Sequence, residues 1–212
     1  MYEMSAILIL AGLAVAFASE TSGEASVSLT GAAAVEGEQL VVLYKVTNTG
    51  KVPVFLRDVM PGYGAEGVFV NPASAYAFHE PPDGLRLVRA ELQIPEELDV
   101  AKKEVPFART LAPGASLEGR IALDVPVRET SPFYPPPGHW HEVTCHRVRL
   151  VIGWIEAKEG LVAQPRKLGD VEVLALKGGW AQPLQRLAET TFAIEVPVRR
   201  REGTFDRRMP LE

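Results

Sequence analysis

The 212-residue sequence contains a single cysteine and no excess of basic residues. One cysteine cannot form an intramolecular disulfide, so the fold must rest on a hydrophobic core. The formal net charge of −5 argues against general nucleic-acid binding, which needs a basic face that displaces counterions. With 47% hydrophobic residues, the chain has enough apolar surface to fold as one compact domain.

A long apolar run lies near the N-terminus, from Ala6 to Ala18. As a helix it would span about 20 Å, which is short of the roughly 30 Å of a bilayer core. Ala16-Phe17-Ala18 has the small-x-small pattern of a signal-peptide cleavage site, although no lysine or arginine precedes the run. We interpret residues 1–18 as a signal peptide cleaved near Ala18 and expect a periplasmic or secreted protein. The alternatives are a retained membrane anchor and a buried N-terminal helix.

Most of the remaining sequence alternates between apolar and polar residues, which is typical of half-buried β-strands. Two such runs, Leu40–Thr47 and Val52–Asp58, flank the triplet at residues 48–50. This triplet predicts a hairpin in which Gly50 takes a positive φ and Asn48 bonds its own backbone.

Further strand patterns follow downstream, beginning after a turn at Pro113-Gly114. Two more strands have predicted inward faces, which are Ile121, Leu123, Val125 and Val127 in one and Phe192, Ile194, Val196 and Val198 in the other. Residues 85–92 and 169–176 give weaker strand patterns. Residues 95–103 and 183–189 predict two short helices, each too short for the crossover of a parallel sheet. We therefore expect an all-β, antiparallel Ig-like β-sandwich of roughly eight to nine strands, with long loops and one or two short helices.

Two stretches resemble bacterial Ig-like domains, including those of the CARDB adhesion type. The first, x-V-T-N-T-G-x-x-P-V, ends at Val54, and the second, L-x-P-G-x-S followed by L-x-V-P, runs from Leu111 to Pro126. The resemblance implies an exported binding or structural module and carries over no catalytic residue. We place a single sandwich domain at residues 19–198 and interpret residues 199–212 as a basic C-terminal tail.

The stretch GHWHEVTCH, residues 138–146, contains three of the four histidines and the only cysteine. It leads into a strand whose predicted inward residues are Val148, Leu150, Ile152 and Trp154. If this strand is unbroken, His146 shares the inward face and Cys145 faces outward with His139 and His141. Cys145 and His146 then point apart, which argues against a nucleophilic Cys–His pair.

His139 and His141 would lie about 6.6 Å apart along a strand, so both side chains could reach one metal ion. A zinc site needs three or four ligands, and we include Cys145 and the distant His79 as further candidates for a zinc or copper site. The alternative is that His139 and His141 lie on an exposed loop and bind no metal.

The neighbouring proline-rich segment offers the candidate interaction residues Phe133, Tyr134 and Trp140, because aromatic residues are enriched in protein contacts. The alternative is that this segment is a loop packed against the domain and binds no partner. The basic residues Arg199 to Arg201 and Arg207 to Arg208 either meet an anionic surface or form a solvated tail.

Motifs of common catalytic and cofactor sites are absent from the sequence, including GxSxG, the Walker loop, HExxH and CxxC. We therefore predict no catalytic residue and no cofactor, and a non-catalytic binding or structural protein of the cell envelope. Its expected partner is a protein or another envelope component, and it would contact a membrane only through an uncleaved N-terminal segment. The alternatives are a periplasmic metal-binding protein using His139 and His141, and an enzyme whose reaction the sequence does not name.

Overall fold

The computed structural model describes residues 26–94, 105–133, 138–157, 161–177 and 185–201. Within these ranges the chain forms fourteen strands and no helix. In chain order the strands are β1 (Val27–Glu36), β2 (Gln39–Asn48), β3 (Val54–Val59), β4 (Pro61–Gly64), β5 (Gly67–Val70), β6 (Tyr76–Glu80), β7 (Gly84–Arg89), β8 (Phe107–Leu111), β9 (Ser116–Asp124), β10 (Val127–Arg128), β11 (Trp140–Glu156), β12 (Val162–Leu168), β13 (Val171–Lys177) and β14 (Arg186–Arg201).

These strands form three sheets. The first has three antiparallel strands in the order β1-β2-β9. The second has nine strands, with the order β10-β14-β11-β3-β8-β13-β12, while β7 pairs with β11 and β6 pairs with β7. Strands β4 and β5 form a separate hairpin. The β10–β14 and β7–β11 pairings are parallel, and the other strand pairings in the described part of the chain are antiparallel.

The main core lies between the three-stranded and the nine-stranded sheet, because both contribute inward side chains to one apolar cluster. Its fully buried members include Leu40, Val42, Leu56, Leu150 and Ile152. A second, smaller core covers the opposite face of β11, where Val151 packs with Met60, Phe78, Val88 and Phe133. The middle of β11 is therefore buried on both faces.

The predicted strand faces are confirmed. Ile121 and Val127 are buried with Leu123 and Val125 packed beside them, and β14 directs the predicted set from Phe192 to Val198 into the main core. The weaker patterns at residues 85–92 and 169–176 correspond to β7 and β13. Trp154 is 2% exposed, as its inward register predicted. Gly114 has a φ of 73° in the turn between β8 and β9.

The predicted hairpin at residues 48–50 is wrong, because β2 and β3 belong to different sheets. The turn instead carries the chain from one sheet to the other. Asn48 is fully buried and donates its side-chain N–H groups to the carbonyls of Val52 and Leu111, both at 2.9 Å. Its side-chain oxygen accepts the N–H of Gly50 at 3.0 Å, so the predicted local bond is present. Gly50 does not have a positive φ, and it is needed because a Cβ there would lie 2.5 Å from that of Ser26.

Two further expectations need correction. The expected eight or nine strands are too few, since the described residues alone contain fourteen. The predicted helix at residues 183–189 is also wrong in its described part, where β14 begins at Arg186. Leu187 packs towards the second core and Ala188 towards the main core. Successive side chains therefore alternate between two faces as in a strand, although the residue types favour a helix. The other predicted helix, at residues 95–103, lies outside the described residues.

The three consecutive arginines near the C-terminus belong to the sheet. Strand β14 continues to Arg201, so Arg199 to Arg201 are its last residues and pair with the beginning of β11. The first three residues of the predicted basic tail therefore belong to strand β14.

Candidate functional site

A β-bulge decides which way the histidine- and cysteine-containing stretch points. Strand β11 pairs with β14 through Cys145 and Val196, and the pairing resumes at Arg147 and Ala193. One residue of β11, His146, therefore stands opposite two residues of β14. The alternation of inward and outward side chains along β11 is shifted by one residue at this point. Cys145 is therefore buried, and the side chain of His146 is 60% exposed. The expected register was the reverse, because it assumed an unbroken strand.

Cys145 is part of the main core and has no exposed surface. Burial raises the pKa of its thiol to about 11, and the negative charges of Asp83 and Glu129 add to this shift. The thiolate, which is the nucleophilic and metal-binding form, is therefore disfavoured at neutral pH. In this state Cys145 serves as a small apolar side chain.

We expect Cys145 to react with a thiol reagent such as dithionitrobenzoate far more slowly in the folded protein than in urea at pH 8. A raised pKa also means that the thiol favours folding fully below pH 9 and loses this contribution as the pH rises towards 11. A Cys145→Ala variant should lack this part of the alkaline loss of stability. Rapid labelling of the native protein at pH 8 would contradict the assigned burial.

The structure brings two of the predicted metal ligands to the same end of the main core. His141 stands opposite Arg200 across the β11–β14 ladder, and Nδ1 of His79 on β6 lies 3.4 Å from Nη1 of Arg200. The arginine donates in this pair when the imidazole carries its proton on Nε2. A metal ion bound at Nδ1 of His79 would therefore have to displace a guanidinium group.

The remaining predicted ligands are arranged differently. His139 is exposed just before β11, and Cys145 lies inside the core. In the part of the chain that the structure describes, no group of three or more His, Cys, Asp or Glu side chains is placed to hold a metal ion. The zinc or copper site at His79, His139, His141 and Cys145 stays a prediction.

Trp140 and three arginines gather where β11 begins and β14 ends. The surface here called the arginine–tryptophan end consists of Arg128, Trp140, Arg199 and Arg201, while the neighbouring Arg200 follows the opposite face of β14 towards His79. Trp140 is 38% exposed. The guanidinium carbon of Arg128 lies 4.9 Å from the centre of its ring and that of Arg201 lies 5.5 Å away, so both make cation–π contacts.

Two glutamates fix this arrangement. The carboxylate of Glu129 accepts the backbone N–H of His79 and that of Arg201, each at 2.8 Å, and so ties β6 to β14. Glu142 forms an exposed ion pair with Arg199, with 3.5 Å between Oε2 and Nε. Arg128 and Arg200 pair with no carboxylate among the described residues. The surface therefore keeps an excess of positive charge within an acidic protein.

The three aromatic residues proposed for partner contact have different positions. Trp140 lies on the surface just described. Phe133 is only 2% exposed and packs in the second core, so it contributes to folding rather than to an exposed surface. Tyr134 lies outside the described residues.

Sequence reasoning missed a buried polar network next to these cores. Arg89 is 2% exposed, and its guanidinium donates to the hydroxyl of Tyr44 at 2.6 Å. It also donates to four backbone carbonyls, those of Asp58, Pro72, Ser74 and Arg120. Asp58 in turn binds Arg109 through both carboxylate oxygens. A charged residue inside an apolar strand pattern, as in LRLVRAEL, was the only signal in the sequence.

No protein-family model, curated protein or solved structure matches this chain. The all-β class that the resemblance to bacterial Ig-like domains implied is confirmed, with several mainly antiparallel sheets. Along the described stretches, no helix has the length and apolar character needed to cross a membrane.

Proposed function

We propose that the protein is an exported, non-catalytic β-sandwich of the Ig-like type that binds a protein or another component of the cell envelope. The observation that carries this proposal is the arginine–tryptophan end. Tryptophan and arginine are the residues most enriched among the energetically dominant positions of protein interfaces. Here an exposed tryptophan and an excess of arginines occupy one end of the two longest strands.

The fold supports a binding role through rigidity. Strand β11 is paired with β14 along most of its length and is buried on both faces in its middle. Trp140 and Arg201 are the terminal residues of these two strands and stand directly opposite each other. Their side chains are therefore held by a rigid sheet, which lowers the entropic cost of binding a partner.

The apolar segment from Ala6 to Ala18 supports export. We expect the mature protein to begin at Ser19 and to be recovered from the periplasmic, secreted or envelope fraction of cells that express the full chain. Cell fractionation followed by N-terminal sequencing checks this result. An unprocessed chain in the cytosolic fraction would contradict export, and zinc or copper in untagged purified protein would favour the metal-binding alternative.

A further inference from the structure

We infer that the arginine–tryptophan end, which lies about one strand length from Ser26, binds an acidic segment of a partner protein. This inference rests on the proposed binding function. It adds the acidic character of the partner and the end of the domain that the partner binds. It depends on three features of the described residues: the local charge, the carboxylate that this surface already holds, and the position of Ser26.

The charge of this end is opposite to that of the whole protein. Among the described residues, three arginines of this surface meet the carboxylates of Glu129 and Glu142, whereas the chain as a whole carries a formal charge of −5. The carboxylate of Glu129 is also engaged by backbone N–H groups. An acidic partner would be attracted to this end and repelled by the remaining surface, so the charge distribution favours one orientation of binding.

One arginine of this end already holds a carboxylate on the outer face of the sheet. Glu142 lies there against the guanidinium of Arg199. The guanidinium of Arg128 is exposed, and among the described residues it has no hydrogen-bond or ion-pair partner besides its contact with the ring of Trp140, so it can bind a further carboxylate through two N–H groups. Trp140 next to it supplies the apolar area that an acidic peptide needs for contacts beyond charge.

For a chain that keeps its N-terminal segment as an anchor, the position of Ser26 argues against the anchoring bilayer as the occupant. The Ser26 hydroxyl donates to Glu156, the last residue of β11, whereas Trp140 is the first residue of that strand. Sixteen residue steps of an extended strand span about 50 Å. Ser26 and the arginine–tryptophan end therefore lie at opposite ends of β11. A chain anchored through residues 1–18 would present the arginines away from its own membrane.

A labelled deca-glutamate peptide tests the inference by fluorescence anisotropy with the protein beginning at Ser19. We expect binding that weakens strongly as the salt concentration is raised from about 50 to about 300 mM, because the Debye length shortens from roughly 14 to 6 Å. Arg128→Gln should weaken binding about tenfold, which corresponds to one charge-assisted hydrogen bond. The matched control is Arg166→Gln, which removes an exposed arginine from β12 at the opposite edge of the nine-stranded sheet and should leave the affinity unchanged.

Three results would overturn the inference. They are equal affinity for a deca-glutamine peptide, equal loss of affinity in the Arg128→Gln and Arg166→Gln variants, and tighter binding to phosphatidylglycerol vesicles than to the peptide. Both variants replace exposed side chains, and equal thermal midpoints would confirm that they remain folded. Failure of the proposed export would appear separately, as an unprocessed cytosolic chain, and would not alter the affinity for the peptide.

Discussion

Replacing Trp154 with alanine is expected to lower the free energy of unfolding by about 3–5 kcal/mol. The ring is 2% exposed and belongs to the main core, where β11 is covered by strands of both sheets. The guanidinium of Arg186 lies over it with 5.4 Å to the ring centre, which adds a cation–π contact. Truncation would leave a large cavity in a region that is fixed on both sides by strand pairing.

Urea denaturation of the wild type and the variant measures this loss. His139→Ala and His141→Ala serve as controls at exposed positions near the other end of β11, and we expect their stability to lie within about 1 kcal/mol of the wild type when no metal is bound. An unchanged denaturation midpoint for Trp154→Ala would mean that the inward face of β11 has been assigned wrongly.

Replacing Glu91 with alanine is expected to destabilise the protein by about 3–5 kcal/mol. Its carboxylate lies 2.5 Å from Nη2 of Arg57, and the two side chains are 10% and 1% exposed. Burial lowers the pKa of Arg57, and the charge of Glu91 opposes this shift. Without Glu91, the folded state would have to hold a buried guanidinium that no carboxylate compensates.

The double variant Arg57→Met with Glu91→Leu separates this effect from a general loss of packing. Because removing both charges also removes the cost of their desolvation, we expect the double variant to recover most of the stability lost in Glu91→Ala. A double-mutant cycle that compares Arg57→Met, Glu91→Leu and the double variant by chemical denaturation gives the coupling free energy between the two residues. If the double variant is as unstable as the sum of its single variants, the pair is not coupled and the assignment is wrong.

Strand faces could be predicted from the sequence because the alternation of side chains is a local property. The inward set on β14 and the burial of Trp154 follow from a period of two within one strand. The partner of each strand depends on distant residues, and this is where prediction failed. Asn48 and Gly50 have the composition of a hairpin turn, but the bonds of Asn48 to Val52 and Leu111 hold a crossing between sheets.

The candidate site was predictable only in part for the same reason. Trp140 was recognised from the aromatic and proline-rich composition around it. The bulge beside Cys145 could not be recognised, because it depends on how many residues β14 places opposite β11. Arg128 could not be connected with Trp140 either, since their contact requires the parallel pairing of β10 with β14.

The most direct test of the central claim is site-specific photo-crosslinking in cells that express the full chain. A photoreactive phenylalanine analogue would replace Trp140 in one strain and Phe69, which is 48% exposed on the separate β4–β5 hairpin, in the control strain. We predict a discrete crosslinked protein species with the probe at residue 140, which is lost when Arg128→Gln is added and absent with the probe at residue 69. Identical crosslinking from both positions, or none from residue 140, would contradict a partner-binding role for the arginine–tryptophan end.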